Sequence, residues 1–249
     1  MIGRRIDRNA QTNRWRRLPA AEKAVFAIGL MIASLVSKGW LVQGMIIVTM
    51  VSLLVRGARV PFRDVLATAT IPVGFIAAST LAQFVTLRFD HGAPLLGLSW
   101  AALEPAAYVG FRSFACVLAL LGLALTTPLT DILRLLRRMG VAPEVSDIAL
   151  MMFRFIWLTL DCAERGAQSQ ANRLGYSTYR RTLHSLGLLL ASLLPRVLGR
   201  AQRLEAGLSS RGYTGELRFA ELQQPTSRVH FAGILGLVLS VAFIGRVLP

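Results

Sequence analysis

The strongest constraint on this chain is an alternation: long apolar runs that hold almost no charge are separated by segments dense in arginine. A helix needs about 17–25 consecutive apolar residues to cross a hydrocarbon core. It can do so because it satisfies its backbone polar groups internally. Residues 65–87, 106–127 and 229–248 meet this length. Residues 24–55 are apolar except at Ser37-Lys38-Gly39, which reads as a turn between two shorter helices, 24–37 and 40–55. The expectation is an all-α, polytopic membrane protein with about five transmembrane helices. Only 16% of the residues are charged, against about 25% for a soluble domain.

The basic residues orient these spans, because cytoplasmic loops of membrane proteins collect Lys and Arg. Residues 1–23 carry seven basic residues, 56–64 carry Arg56, Arg59 and Arg63, and 128–228 carry fourteen. The intervening loops offer only Lys38 and Arg88. Five spans with a cytoplasmic N-terminus put all three rich segments on one side. The expected location is the bacterial inner membrane, with residues 1–127 forming an N-terminal segment and four spans, 128–228 a cytoplasmic domain, and 229–249 the last span. The first 23 residues are polar and arginine-rich, unlike a cleavable signal peptide. The net charge of +15 suits the lipid bilayer surface. It points away from nucleic acid, since the arginines lie between apolar runs and form no basic face with stacking aromatics.

Residues 128–228 contain two further apolar stretches, 148–160 and 183–194. As a membrane hairpin they would carry Arg165, Arg173, Arg180 and Arg181 outside, against the charge rule. Long amphipathic helices, packed on each other and on the inner membrane boundary, fit better; the hairpin stays open as the alternative. Helix signals divide the segment. Pro128 and Asp131 mark a start that Arg137, Arg138 and Gly140 end. Pro143-Glu144 opens a helix reaching Leu174 and stopping at Gly175. Thr178 opens a third, reaching Arg211 and stopping at Gly212, with Pro195 expected to kink it.

Catalytic chemistry is thin. His91, His184 and His230 are scattered, Cys116 and Cys162 sit in no metal-ligand spacing, and no P-loop occurs. No cofactor and no metal site is expected, and no catalytic residue. Cys116 and Cys162 read as small buried hydrophobes. His91 beside Asp90 reads as solvated loop chemistry. Arg112 falls within the 106–127 span, where snorkelling outward or pairing with Glu104 or Asp90 accounts for it.

On the third helix, Arg196, Arg200, Arg203, Gly207 and Arg211 form one stripe at helical period, opposite Leu194, Val197, Ala201, Leu204 and Leu208. A short echo links two helix ends. Asn172-Arg173-Leu174-Gly175-Tyr176 resembles Ser210-Arg211-Gly212-Tyr213, with an arginine before a glycine and a tyrosine in each. The helix macrodipole favours arginine at either end alone but does not explain the shared pattern.

With Thr12-Asn13-Arg14, Leu18-Pro19, Lys23, the stretch 167–176 and the run Ala-Gly-Leu-Ser-Ser-Arg-Gly-Tyr-Thr-Gly at 206–215, the chain resembles the membrane-embedded T component of energy-coupling-factor (ECF) transporters, of the CbiQ type, over essentially its whole length. That family has two short X-Arg-X signatures, often Ala-Arg-Gly, at the ends of two coupling helices. They map to Asn172, Arg173 and Leu174 and to Ser210, Arg211 and Gly212, neither in the commonest form. The resemblance implies a non-enzymatic coupling subunit of an importer for a transition-metal ion, cobalt first. Its implied partners are two ATP-binding ABC subunits, which would receive the arginine-ended helices, and a separate substrate-binding membrane subunit (the S component). A conventional ABC permease lining its own path, and a membrane-embedded lipid enzyme, are the alternatives.

Overall fold

The computed structural model describes residues 2–37, 39–90, 93–98 and 103–212, together with Gly233, Gly236 and Ser240. Helices dominate. They are α1 (Ile2–Thr12), a 3-10 turn (Arg14–Arg17), α2 (Ala20–Val36), α3 (Trp40–Ser52) running into a π-helical turn (Leu53–Gly57), α4 (Phe62–Phe84), α5 (Leu103–Thr126), α6 (Leu129–Arg138), α7 (Pro143–Asn172) and α8 (Tyr179–Ser209). A short antiparallel hairpin, β1 (Val85–Asp90) and β2 (Ala93–Leu98), lies between α4 and α5, with Val85 opposite Leu98 and Asp90 opposite Ala93.

The expected spans at 24–37, 40–55, 65–87 and 106–127 correspond to α2, α3 with its π-turn, α4 and α5. The fifth, 229–248, lies outside the described residues except for Gly233, Gly236 and Ser240, which are helical. One boundary and one loop are corrected. The third span ends at Phe84, and residues 85–87 belong to the hairpin instead. Their Val-Thr-Leu composition suits a strand. The stretch between spans, expected as a loop around Asp90 and His91, is largely that hairpin; His91 itself lies outside the described residues. At 17 residues, α2 is about 26 Å long, a little short of a bilayer core. Trp40–Gly57, Phe62–Gln83, Leu103–Thr126 and Tyr179–Ser209 are long and apolar enough to cross, by length and composition alone.

The described residues fall into two compact units, one ending at Ile132 and the other beginning at Leu133. In the first, α5 is the central element. Ala115, Leu118 and Ala119 on α5 pack with Leu30 and Ala33 on α2 and with Val42, Ile46 and Met50 on α3, all buried. Small residues on α5 let the backbones approach, as helix contacts in membranes require. Gly122 shows how close: a Cβ there would stand 2.3 Å from Met50 Cε. A polar knot fixes the α2–α3 turn. Ser34 Oγ donates to Gln43 Oε1 at 2.6 Å, Gln43 Nε2 donates to the Ser34 carbonyl at 2.9 Å, and Tyr108 Oη donates to the Ser37 carbonyl at 2.8 Å.

In the second unit α7 and α8 pack together, tightly at Gly166, where a Cβ would stand 2.5 Å from Leu189 Cδ1. The expected helix starts at Pro143 and after Thr178 are observed, and α8 runs through Pro195. The expectation that the apolar faces pack on each other holds only in part. Val145, Ile148, Met152, Ile156 and Leu160 on α7 remain about half exposed or more, as do Leu183, Leu190, Leu194 and Leu198 on α8. Each set follows helical spacing, so each is an apolar stripe directed away from the other helix.

Candidate functional site

A helix ends with carbonyls that no further amide reaches, and a residue in the left-handed region commonly closes it. At the end of α7 that residue is Leu174, with φ +57°. Arg173 is the cap, and the Leu174 and Gly175 amides donate back to the Ala171 and Gln170 carbonyls at 3.0 and 2.9 Å. This pair of bonds is the Schellman arrangement. At the end of α8 the left-handed residue is Gly212, with φ +72°. The bonds of the two ends correspond. The Arg173 amide donates to the Gln170 carbonyl at 3.1 Å and the Arg211 amide to the Leu208 carbonyl at 3.0 Å. The next amides, of Leu174 and Gly212, likewise donate three residues back, at 3.0 and 3.2 Å. The sequence echo is therefore a structural one: in both triads the arginine immediately precedes the left-handed residue.

Asn172, Arg173, Leu174, Ser210, Arg211 and Gly212 are all exposed. Among the described residues the Arg173 and Arg211 guanidinium groups meet no acid and no carbonyl. Each presents a planar five-donor fork, suited to carboxylates and carbonyls on another surface. The stripe expected along α8 is observed as well, with Arg196, Arg200, Arg203, Gly207 and Arg211 all exposed.

One detail of the expected stop is corrected. Gly175 was expected to end α7, but Leu174 takes the left-handed conformation. A leucine there costs about 1–2 kcal/mol, and its side chain is 69% exposed, so no internal packing offsets that cost. The glycine serves a different need. A Cβ at Gly175 would stand 2.7 Å from Ser185 Oγ and 2.9 Å from the Gln170 carbonyl oxygen. Ser185 Oγ on α8 donates to the Gly175 carbonyl at 2.9 Å, and Tyr176 Oη donates to Gln170 Oε1 at 2.8 Å. The tip of α7 is thereby tied to α8 and held rigid behind Arg173.

The first unit contains a second polar concentration that the sequence reading did not foresee. Asp64, in the first turn of α4, receives Asn9 Nδ2 at 3.0 Å, and Arg8 and Arg5 lie 3.4 and 3.7 Å from its carboxylate. Arg16 pairs with Asp131. The arginine-rich N-terminal segment is folded against the spans. Lys23, one residue before the first apolar span, is 7% exposed and borders an apolar cavity of about 430 Å³ lined by Trp15, Phe26, Met50, Leu54 and Leu123. Burial lowers its pKa to about 8 although Asp131 pulls the other way. Arg112 donates to the Leu35 carbonyl at the C-terminal end of α2, a cation where the helix dipole favours one.

Among the described residues no three His, Cys, Asp or Glu side chains stand together as a metal site. Cys116 and Cys162 are free thiols of intermediate burial, and His230 lies outside the described residues.

Comparison with known proteins gives these helix ends a context. The profile of a family described as cobalt transport protein, CbiQ, matches residues 11–221. The cobalt transport protein CbiQ of Rhodobacter capsulatus is 35% identical over 236 residues, covering 95% of this chain and 93% of the relative. The CbiQ of Salmonella typhimurium is 24% identical, covering 85% and 97%. A putative fused cobalt transport protein, CbiMQ, of Methanocorpusculum labreanum is 29% identical over 133 residues, which are 53% of this chain and 22% of the relative.

Proposed function

Since this chain belongs to the CbiQ family of cobalt transport proteins, a family of multi-pass membrane proteins, we propose that it is the coupling subunit of an ECF-type cobalt importer in the bacterial inner membrane, with its N-terminus cytoplasmic. In this reading it hydrolyses nothing itself. Two ATP-binding subunits receive the ends of α7 and α8, and a separate membrane subunit takes the metal. The observation that carries the proposal is the correspondence of the two ends: each places an exposed arginine, unpaired among the described residues, directly before a left-handed residue at the tip of a helix of about 30 residues. Two equivalent tips suit a pair of equivalent receptors.

Residues 128–228 serve as the cytoplasmic coupling domain. ATP-driven closure of the ATPase pair shifts one tip against the other, and packed helices transmit such shifts as shear or hinge motion. The exposed apolar stripes of α7 and α8 offer that domain a surface for the inner membrane boundary and for the substrate-binding subunit. The fused M. labreanum relative, in which the matching region is a fifth of a longer cobalt transport protein, supports a membrane partner of this kind. Cobalt as cargo follows from the family, since no ligand cluster among the described residues selects it.

Co-purification tests the proposal. The expected assembly contains this chain, two ATP-binding subunits and one small separate membrane subunit. An assembly of ATPases with a pair of copies of this chain alone would mean a conventional permease, and the coupling assignment would fall.

A further inference from the structure

The N-terminal motif Thr12-Asn13-Arg14, with Leu18-Pro19 and Lys23, has no part in docking ATPases at the tips of α7 and α8. Asn13 and Lys23 from it, with neighbouring Arg16, converge instead on one place, the exit of α5 and the first turn of α6. Arg16 Nη1 donates to Asp131 Oδ2. Lys23 Nζ donates to the Thr126 carbonyl at 2.9 Å, and Asn13 Nδ2 donates to the same carbonyl at 3.2 Å. That carbonyl belongs to the last turn of α5, where no helical amide remains to satisfy it. It is taken by two side chains more than 100 positions earlier in the chain.

The location gives this cluster its meaning. The helix α6 spans Leu129–Arg138, while the first compact unit ends at Ile132 and the second begins at Leu133. Asp131 is thus the second-last residue before the chain leaves the first unit. Its side chain has no exposed surface, and Arg16, at 24%, is mostly covered. A buried ion pair contributes little stability compared with well-packed apolar groups. It does fix direction, since a guanidinium and two carbonyl-bound donors hold the α5 exit and the α6 start at one mutual angle. A helix that transmits a displacement needs such a fixed root; otherwise the motion is spent in bending the joint.

We propose that Asn13, Arg16, Lys23 and Asp131 anchor the root of α6 and act as positioning residues for coupling, so that a displacement of residues 133–212 is passed to the membrane helices. The proposal rests on the coupling reading given above. Its test uses the full complex in liposomes and reads cobalt taken up per ATP hydrolysed, together with retention of the ATPase subunits and the thermal midpoint. Asp131→Asn is expected to retain the ATPases and their hydrolysis while uptake per ATP falls about fivefold. Arg16→Lys, which keeps the charge and loses the fork, should show a smaller fall in the same ratio, and it serves as the probe if Asp131→Asn does not fold. The exchanged pair Arg16→Asp with Asp131→Arg should recover part of the ratio. An unchanged ratio in folded Asp131→Asn, or a parallel loss of uptake and hydrolysis in both single variants, would overturn the anchor. The double variant Arg173→Ala with Arg211→Ala separates the two claims: if it keeps its ATPases, the docking reading fails, whatever Asp131 does.

Discussion

Arg16 and Arg211 carry the same guanidinium in opposite surroundings. Arg16 is mostly covered and is paired with a fully buried carboxylate, in the first unit. Arg211 is exposed at the tip of α8, beside a left-handed glycine, and meets no acid among the described residues. A guanidinium matched by its own chain holds that chain together, and one left unmatched is available to another. The comparison separates the arginines of this basic sequence by what they touch, which a charge count cannot do. The acids make the division: Asp64 and Asp131 gather the N-terminal arginines, whereas the turns at Arg173 and Arg211 have no acid within the triads.

The largest expected effect breaks the buried side of the comparison. Asp131→Ala leaves Arg16 without its partner, and such losses run to about 3–5 kcal/mol. Arg173→Ala and Arg211→Ala, both at exposed positions, should each change stability by less than about 0.5 kcal/mol. Thermal unfolding in detergent measures both. Equal destabilisation at the buried and exposed arginines would erase the distinction.

Lys23 sharpens the buried side through pH. Its native pKa is lowered from 10.5 to about 8, so between about pH 8 and 10.5 the unfolded chain binds more protons than the folded one. Stability should therefore rise with pH across this window as native Lys23 sheds its proton. The thermal midpoint of the wild type, followed from pH 7.5 to 9.5, should rise relative to Lys23→Met, which cannot titrate. Parallel profiles would mean that Lys23 keeps its charge at no cost.

The smallest effect lies at the tip of α7. Leu174→Gly relieves a left-handed leucine, although glycine also gives the unfolded chain more freedom. A net gain of about 0.5–1 kcal/mol is expected, readable as a raised thermal midpoint. Gly175→Ala should act in the opposite direction, because its Cβ would press on the Gln170 carbonyl oxygen at 2.9 Å.

The sequence made local features legible and long-range ones opaque. The starts at Pro128, Pro143 and Thr178 and the stop at Gly140 follow from backbone chemistry that each residue imposes on its neighbours. They match α6, α7 and α8 within a residue or two. The echo of Arg173 and Arg211 was visible as spelling, and in the backbone each arginine directly precedes a left-handed residue. Asp131 was read only as a helix-start signal, because its partner lies 115 positions away and no local pattern announces such a pairing. An acid just after the proline that follows a span, in so basic a chain, was the available hint. Leu174 was missed for another reason. Glycine is the ordinary left-handed residue, so Gly175 drew the assignment, and only the approach of α8 shows why that glycine is needed for space. The hairpin at 85–98 was hidden by apolar residues that suit a span and a strand equally.

The most direct measurement of the docking claim is capture of the ATP-binding subunits by the double variant Arg173→Ala with Arg211→Ala. Either single change should weaken capture and uptake while leaving the chain folded, since truncating one partner of a buried charged contact costs about 2–5 kcal/mol. Arg200→Ala, exposed on the same face of α8 but in mid-helix, should do less. Lysine at either tip should restore only part, because a point charge cannot reproduce the fork. In the double variant, capture of the ATPases and cobalt uptake should both be lost at an unchanged thermal midpoint. A folded double variant that still holds both ATPases and transports cobalt at the wild-type rate would contradict the account.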